Sequence, residues 1–228
     1  MITRLLRKSF YLLVGHSSEV RYTKVMQNTP IGVGPHPQPW PTDTHFDKEL
    51  LAKGDDRNVL DKYHYWKVSA IKDDLDKTRV PLEIAIENLS RDYNMGTIVR
   101  CANAFNINRV HIIGRKQWNK RGAMVTDLYM NILYHDDVQA FKALMDKEQR
   151  EIIAVDIVDG AEELSKVELP SSSVLVFGAE GPGLSKELLS VAKHTVMIEQ
   201  LGSTRSINVG VAAGIAMYSW AQQHLLTR

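Results

Sequence analysis

Residues 81–114 read PLEIAIENLSRDYNMGTIVRCANAFNINRVHIIG, and their texture decides the fold. The run LEIAIE is apolar and β-branched enough for a buried strand, Met95 to Phe105 carries apolar residues at helical spacing, and RVHIIG returns to strand texture. The stretches IIAVDIV, SVLVFG and TVMIE repeat the strand signal further on, with helical patterns between or after them. Strands alternating with helices predict an α/β domain over residues 81–228, a mostly parallel sheet flanked by helices. No internal repeat interrupts it.

Upstream the texture differs. Between Thr29 and Asp47 five prolines and two glycines favour an extended path, so residues 1–57 read as an irregular Pro-rich extension. From Asn58 to Lys77, Leu60, Tyr63, Trp66, Val68, Ile71 and Leu75 recur at near-helical spacing. Residues 58–80 are therefore expected to form an amphipathic helical segment packing on the core.

Composition narrows the function. A chain of 228 residues, 44% hydrophobic, can bury one substantial core. A net charge of +1 supplies no whole-molecule attraction to nucleic acid or anionic membrane, so any basic surface must be local. The single cysteine, Cys101, rules out an internal disulfide framework and suits a reducing cytoplasm, where we expect the protein. The eight histidines show no ligand spacing, and no metal site is expected. The start, MITRLLRKSFYLLVG, lacks a full secretory core, and Val209 to Ala221 falls short of the roughly 20 residues a membrane span requires.

Ligands of open parallel sheets collect beyond the carboxyl ends of strands. Three polar loops follow strands here: NLSRDYNMGTIVR, GAEGPGLS and EQLGSTRSINVG. In the second the glycine order is not the dinucleotide fingerprint, and Glu180 among the turn's N–H groups would repel a phosphate. A neutral or cationic ligand fits better; the plainer alternative is a strand-to-helix turn with Ser185 as N-cap. In the first loop Asn94 is placed to cap a helix that carries Arg100 six residues on, among apolar neighbours. A buried guanidinium there needs an anion, either a structural carboxylate or a substrate phosphate. In the third loop Ser206 is the expected N-cap of a helix rich in small residues. A fourth feature, GRKQWNKRG, sets Arg115, Lys116, Lys120 and Arg121 around Trp118, a mix suited to phosphate contact with base stacking or to a solvated loop with an inward Trp.

The ordered strings NMGTIVR, VFGAEGPGLS and IEQLGSTRSINV resemble the three motifs of the SpoU (TrmH) family of SPOUT-class RNA ribose 2'-O-methyltransferases. The likeness covers roughly Leu82 to Leu225. It implies a deep C-terminal trefoil knot, a homodimer, RNA (tRNA or rRNA) as substrate and S-adenosylmethionine as cofactor. Backbone at Gly178, Ile198 and Ile207 would surround that cofactor, with Glu180, Gly181 and Leu201 beside it. Asn94, Arg100, Glu180, Ser206 and Asn208 match the polar catalytic positions, and Arg115, Lys116, Trp118, Lys120, Arg121 and Arg205 are the RNA-binding candidates. Two departures stand out: Ile198-Glu199-Gln200 replaces the family's Ile-Pro-Met, and the first motif is one residue shorter before Asn94. Competing readings are a Rossmann-like nucleotide enzyme, a base methylase using Cys101 as nucleophile, and a catalytically silent RNA-binding scaffold of the same fold.

Overall fold

The computed structural model describes residues 32–88, 94–178 and 182–226, preceded by the backbone of two short antiparallel strands, β1 (Leu12–Val14) and β2 (Val20–Tyr22). The chain divides into two compact units, Met1–Asp74 and Leu75–Arg228.

In the first unit, α1 (Lys48–Lys53) starts at Asp47, whose carboxylate accepts the N–H groups of Glu49 and Leu50. Its organising centre is the buried Asp55. The Arg57 guanidinium donates to both of its oxygens, and the N–H groups of Arg57 and Tyr65 donate to it as well. Burial pushes the Asp55 carboxyl up, but these donors outweigh it and bring the pKa down to about 2. The helix expected across residues 58–77 forms only over Val68–Asp76, as α2, with a single 3-10 turn at Asp61–Tyr63 ahead of it. The break falls at Tyr65, whose φ of 63° no right-handed helix accommodates.

The second unit is the α/β domain that the alternating texture predicts. Its elements run β3 (Glu83–Asn88), α3 (Met95–Ala104), β4 (Val110–Gly114), β5 (Ile132–His135), α4 (Val138–Lys147), β6 (Glu151–Val155), β7 (Glu162–Glu163), β8 (Ser173–Phe177), α5 (Lys186–Val191), β9 (His194–Met197) and α6 (Val209–Ala221). The strands make one seven-stranded sheet in the order β5-β4-β3-β8-β6-β9-β7 with every neighbouring pair parallel. Strand β5 lay outside the sequence reading because ILYH is four residues long and breaks straight into two aspartates.

Both faces are covered, which is why the strands read as continuous apolar runs. Ile84, Ile86, Leu175 and Phe177 face α3 and α6 in one core, and Ala85, Val174 and Val176 face α4 and α5 in the other. One buried polar chain crosses the second face. Glu83 accepts from His111 at 2.8 Å, and His111 Nδ1 meets His135 Nε2 at 2.8 Å. Burial, and then the neighbouring His111, push the His135 pKa down to about 4. Burial works against the Glu83 carboxylate, yet its bond to His111 and the guanidinium of Arg109 hold it below the ordinary range.

Candidate active site

The carboxyl ends of β6, β8 and β9 lie side by side, and a cavity of about 220 Å³ opens beyond them. Val155 and Asp156 end one wall, Phe177 and Gly178 the next, and Met197, Ile198 and Gln200 the third. Residues 206–209 and Ala212 close it from the start of α6. Among the described residues its only charged lining side chain is Asp156, and none of them presents a lysine or arginine to it.

A close backbone approach shapes this cavity. A Cβ on Gly178 would fall 2.2 Å from the carbonyl carbon of Gly183, so the strand end and the returning turn touch main chain to main chain. Gly183 itself takes φ +70°, a conformation that side chains strain. The turn is closed by Leu184 N–H donating to Asp156 at 2.8 Å and Ser185 N–H donating to the buried Glu87 at 2.7 Å. Ser185 then caps α5 through Leu188 N–H.

Helix α6 is capped by Asn208 rather than the expected Ser206. The Asn208 Oδ1 accepts from Gly210 and Val211, and Ser206 sits exposed two residues earlier on the cavity wall. A side-chain oxygen must reach N–H groups two and three residues ahead of it, and only Asn208 lies at that offset from the first turn. The Asn208 amide nitrogen donates to Asn94 Oδ1 at 2.8 Å. Asn94 occupies the N-cap position of α3, but its side chain serves this contact instead of a cap bond.

Arg100 is exposed, so of its two expected anions the structural carboxylate is not met among the described residues. Helix α3 buries Met95, Gly96, Ile98, Val99 and Ala102, which turns Arg100 to the exposed side, where it has no carboxylate partner among the described residues. It stands about 9 Å along the helix axis from Asn94. Cys101 packs over Gly214 of α6, and burial pushes its thiol pKa up despite the adjacent Arg100, the environment of an inert packing residue.

The basic loop reaches the same helix. A Cβ on Gly96 would lie 2.5 Å from Ala123 N, so the first turn of α3 rests against the backbone of residues 122–123. In that loop Lys116 pairs with Asp136 and Lys120 with Asp127, both at 2.9 Å, and the Lys120 ammonium lies 5.6 Å from the centre of the Trp118 ring. Arg115 and Arg121 are exposed, and Trp118 packs part-buried against the core.

Of the residues singled out from sequence, Gly178, Ile198, Ser206, Ile207 and Asn208 line the cavity, with Asn94 joined to it through Asn208. Leu201 and Arg205 are exposed and do not line it. Glu180 and Gly181 lie outside the described residues. Asp156 and Gln200 line the cavity without having been read as ligand residues; a carboxylate ending the strand run IIAVD was the available signal. The charge that Glu199 adds is turned aside: its carboxylate accepts the Ser165 hydroxyl, a bond that holds its pKa below the ordinary range.

The model of the SpoU rRNA Methylase family matches residues 81–218. The tRNA (guanosine(18)-2'-O)-methyltransferase of Escherichia coli (strain K12) is 22% identical over 145 residues, which make up 62% of this chain and 63% of that relative's length. The Thermus thermophilus protein of the same description is 26% identical over 161 residues, covering 68% of this chain and 81% of its own. A solved structure described as an AdoMet-bound rRNA methyltransferase from Sinorhizobium meliloti shares the fold at a TM-score of 0.56 and 23% identity, covering 67% of this chain and 61% of that one.

Proposed function

Because the chain belongs to the SpoU rRNA methylase family, we propose that it transfers a methyl group from S-adenosylmethionine to a ribose 2'-hydroxyl of tRNA or rRNA. The observation that carries this reading is the cavity beyond β6, β8 and β9, whose charged wall residue is a carboxylate and which presents no basic side chain among the described residues. Such a lining disfavours a phosphate-anchored nucleotide and accepts a cation. The methyl donor supplies an electrophilic carbon on a positively charged sulfur when bound. The residues fit it: Gly178 lets main chain approach, the aliphatic side chains of Ile198, Ile207 and Val209 enclose an apolar body, and Asp156 faces the charge.

The chain's own residues then divide the work. Asn208 holds Asn94, and with it the start of α3, against the cavity mouth. Arg100, exposed and free of a carboxylate partner among the described residues, binds the RNA phosphate next to the reacting ribose and stabilises the oxygen as its proton leaves. A guanidinium stays protonated at neutral pH, so the proton passes to phosphate or water rather than to Arg100. Arg115 and Arg121 extend the phosphate contact from the loop packed on the same helix. The knotted C-terminal passage and the homodimer that the family implies, with Glu180 at the cofactor and a cytoplasmic location, belong to the same proposal, as does the division at residues 57 and 80.

The test has two steps. Titration calorimetry with S-adenosylmethionine on the full chain is expected to give saturable binding; none at millimolar donor would overturn the reading. Labelled methyl transfer to total RNA from a strain lacking the protein, followed by nucleotide mapping, is expected to yield a 2'-O-methylated nucleotide. Binding without transfer to any RNA would favour the silent scaffold.

A further inference from the structure

We propose that Asp156 makes this cavity prefer the charged methyl donor over its neutral demethylated product, and so favours exchange of product for fresh donor after each transfer. The inference rests on the function proposed above. Asp156 follows the last residue of β6, and its carboxylate is held from two sides. Its Oδ1 accepts the N–H of Ile157 at 2.7 Å, and its Oδ2 accepts the N–H of Leu184 at 2.8 Å. It also fills the space beside Gly183, where a Cβ would lie 2.6 Å from Oδ2. Held this way, the carboxylate cannot swing off the cavity wall.

Among the described residues nothing on that wall neutralises it. Asp156 has no ion-pair partner among the described residues, and the rest of the lining is aliphatic, aromatic or uncharged. A cation bound in the cavity would sit within about one Debye length of the carboxylate, roughly 8 Å at physiological salt, so salt screens their attraction only in part, against walls of low polarity. Methyl transfer removes that cation. The carbon–sulfur bond breaks and leaves its electron pair on sulfur, which becomes a neutral thioether, while the methyl carbon bonds to the ribose oxygen and the hydroxyl proton departs to phosphate or water. The attraction of Asp156 is therefore present before the reaction and gone after it. Its place on the cavity wall distinguishes it from a purely structural residue, which its two hydrogen bonds alone would make it.

The experiment compares affinities of S-adenosylmethionine and S-adenosylhomocysteine by calorimetry for the native chain and for Asp156→Asn, which retains an oxygen to accept from Leu184. The expected result is a loss of about tenfold for the donor with little change for the product, so that their affinity ratio falls about tenfold. An equal loss for both ligands, or none for either, would overturn the proposal, since it would reduce Asp156 to a brace for the 183–184 turn. Should the variant fail to fold, a salt titration of the native chain decides: donor binding is expected to weaken as salt rises while product binding stays level, and parallel behaviour would overturn the proposal. Failure of the native chain to bind either ligand would instead strike the proposed function itself.

Discussion

Asn208 and Asn94, separated by 114 residues in the chain, meet through a 2.8 Å hydrogen bond in which the Asn208 side-chain amide nitrogen donates to Asn94 Oδ1. The direction of that bond is forced. Asn208 Oδ1 is occupied by Gly210 and Val211 N–H as the cap of α6, so only the nitrogen remains for Asn94. One side chain thereby caps one helix and fixes the start of another.

This double use separates experimentally. Asn208→Asp keeps the capping oxygen but turns a second oxygen towards Asn94. Its unfolding free energy is expected within about 1 kcal/mol of native, while methyl transfer falls by at least an order of magnitude. Asn208→Ala is expected to lose both the cap, worth about 1 kcal/mol, and the turnover. Thermal denaturation run beside a transfer assay reads the two effects independently.

Gly178→Ala inserts a methyl group 2.2 Å from the Gly183 carbonyl carbon, where both partners are main chain and neither can rotate aside. A destabilisation of about 1–3 kcal/mol is expected together with loss of donor binding, because the turn that moves is itself a cavity wall. Native-like donor affinity in the folded variant would show that the turn can open without cost.

Arg100→Ala removes an exposed side chain without a carboxylate partner among the described residues. Stability is expected to change by less than about 0.5 kcal/mol and donor affinity hardly at all, with methyl transfer abolished. Arg100→Lys is expected to restore only a small part of the rate, since an ammonium cannot grip phosphate with two parallel donors. Full turnover in the alanine variant would refute the role.

Stability should also fall with acid through His135. Its folded pKa is lowered to about 4 from an ordinary value of 6.5. Between those limits the unfolded chain takes up a proton that the folded chain refuses, so falling pH favours unfolding, by at most about 1.4 kcal/mol per pH unit for one proton. Glu83, lowered in the fold, adds to the loss as pH drops through its own ordinary range. Denaturant titrations across this range are expected to show that slope in the native chain and a flatter one in His135→Gln; identical slopes would assign the acid sensitivity elsewhere.

Much of this architecture was legible in residues 81–114 and their echoes downstream. Strands buried on both faces must be apolar throughout, as Ile84 to Ile86 and Val174 to Phe177 are, so the α/β class could be read without any tertiary knowledge. The polar loops after the strands were legible for a similar reason: parallel strands deliver their carboxyl ends to one edge, and Ser206 and Asn208 accordingly sit on the cavity wall with Gly178 and Ile198. Helix limits were less legible. The 58–77 periodicity does not reveal that Tyr65 takes a positive φ, and the choice between Ser206 and Asn208 as cap depends on which N–H groups the first turn leaves free.

Local patterning, the period of apolar residues and the chemistry of glycine-rich turns, determined the fold class and pointed to loops that line the candidate site. Tertiary structure decided the rest. It turned Arg100 outward, because α3 buries its opposite face, and it joined Asn94 to Asn208 across the domain. It also carried Asp156 from the end of one strand to the turn that follows another. Such pairings depend on the order of strands in the sheet, and that order is a property of packing between distant segments that no short window of sequence contains.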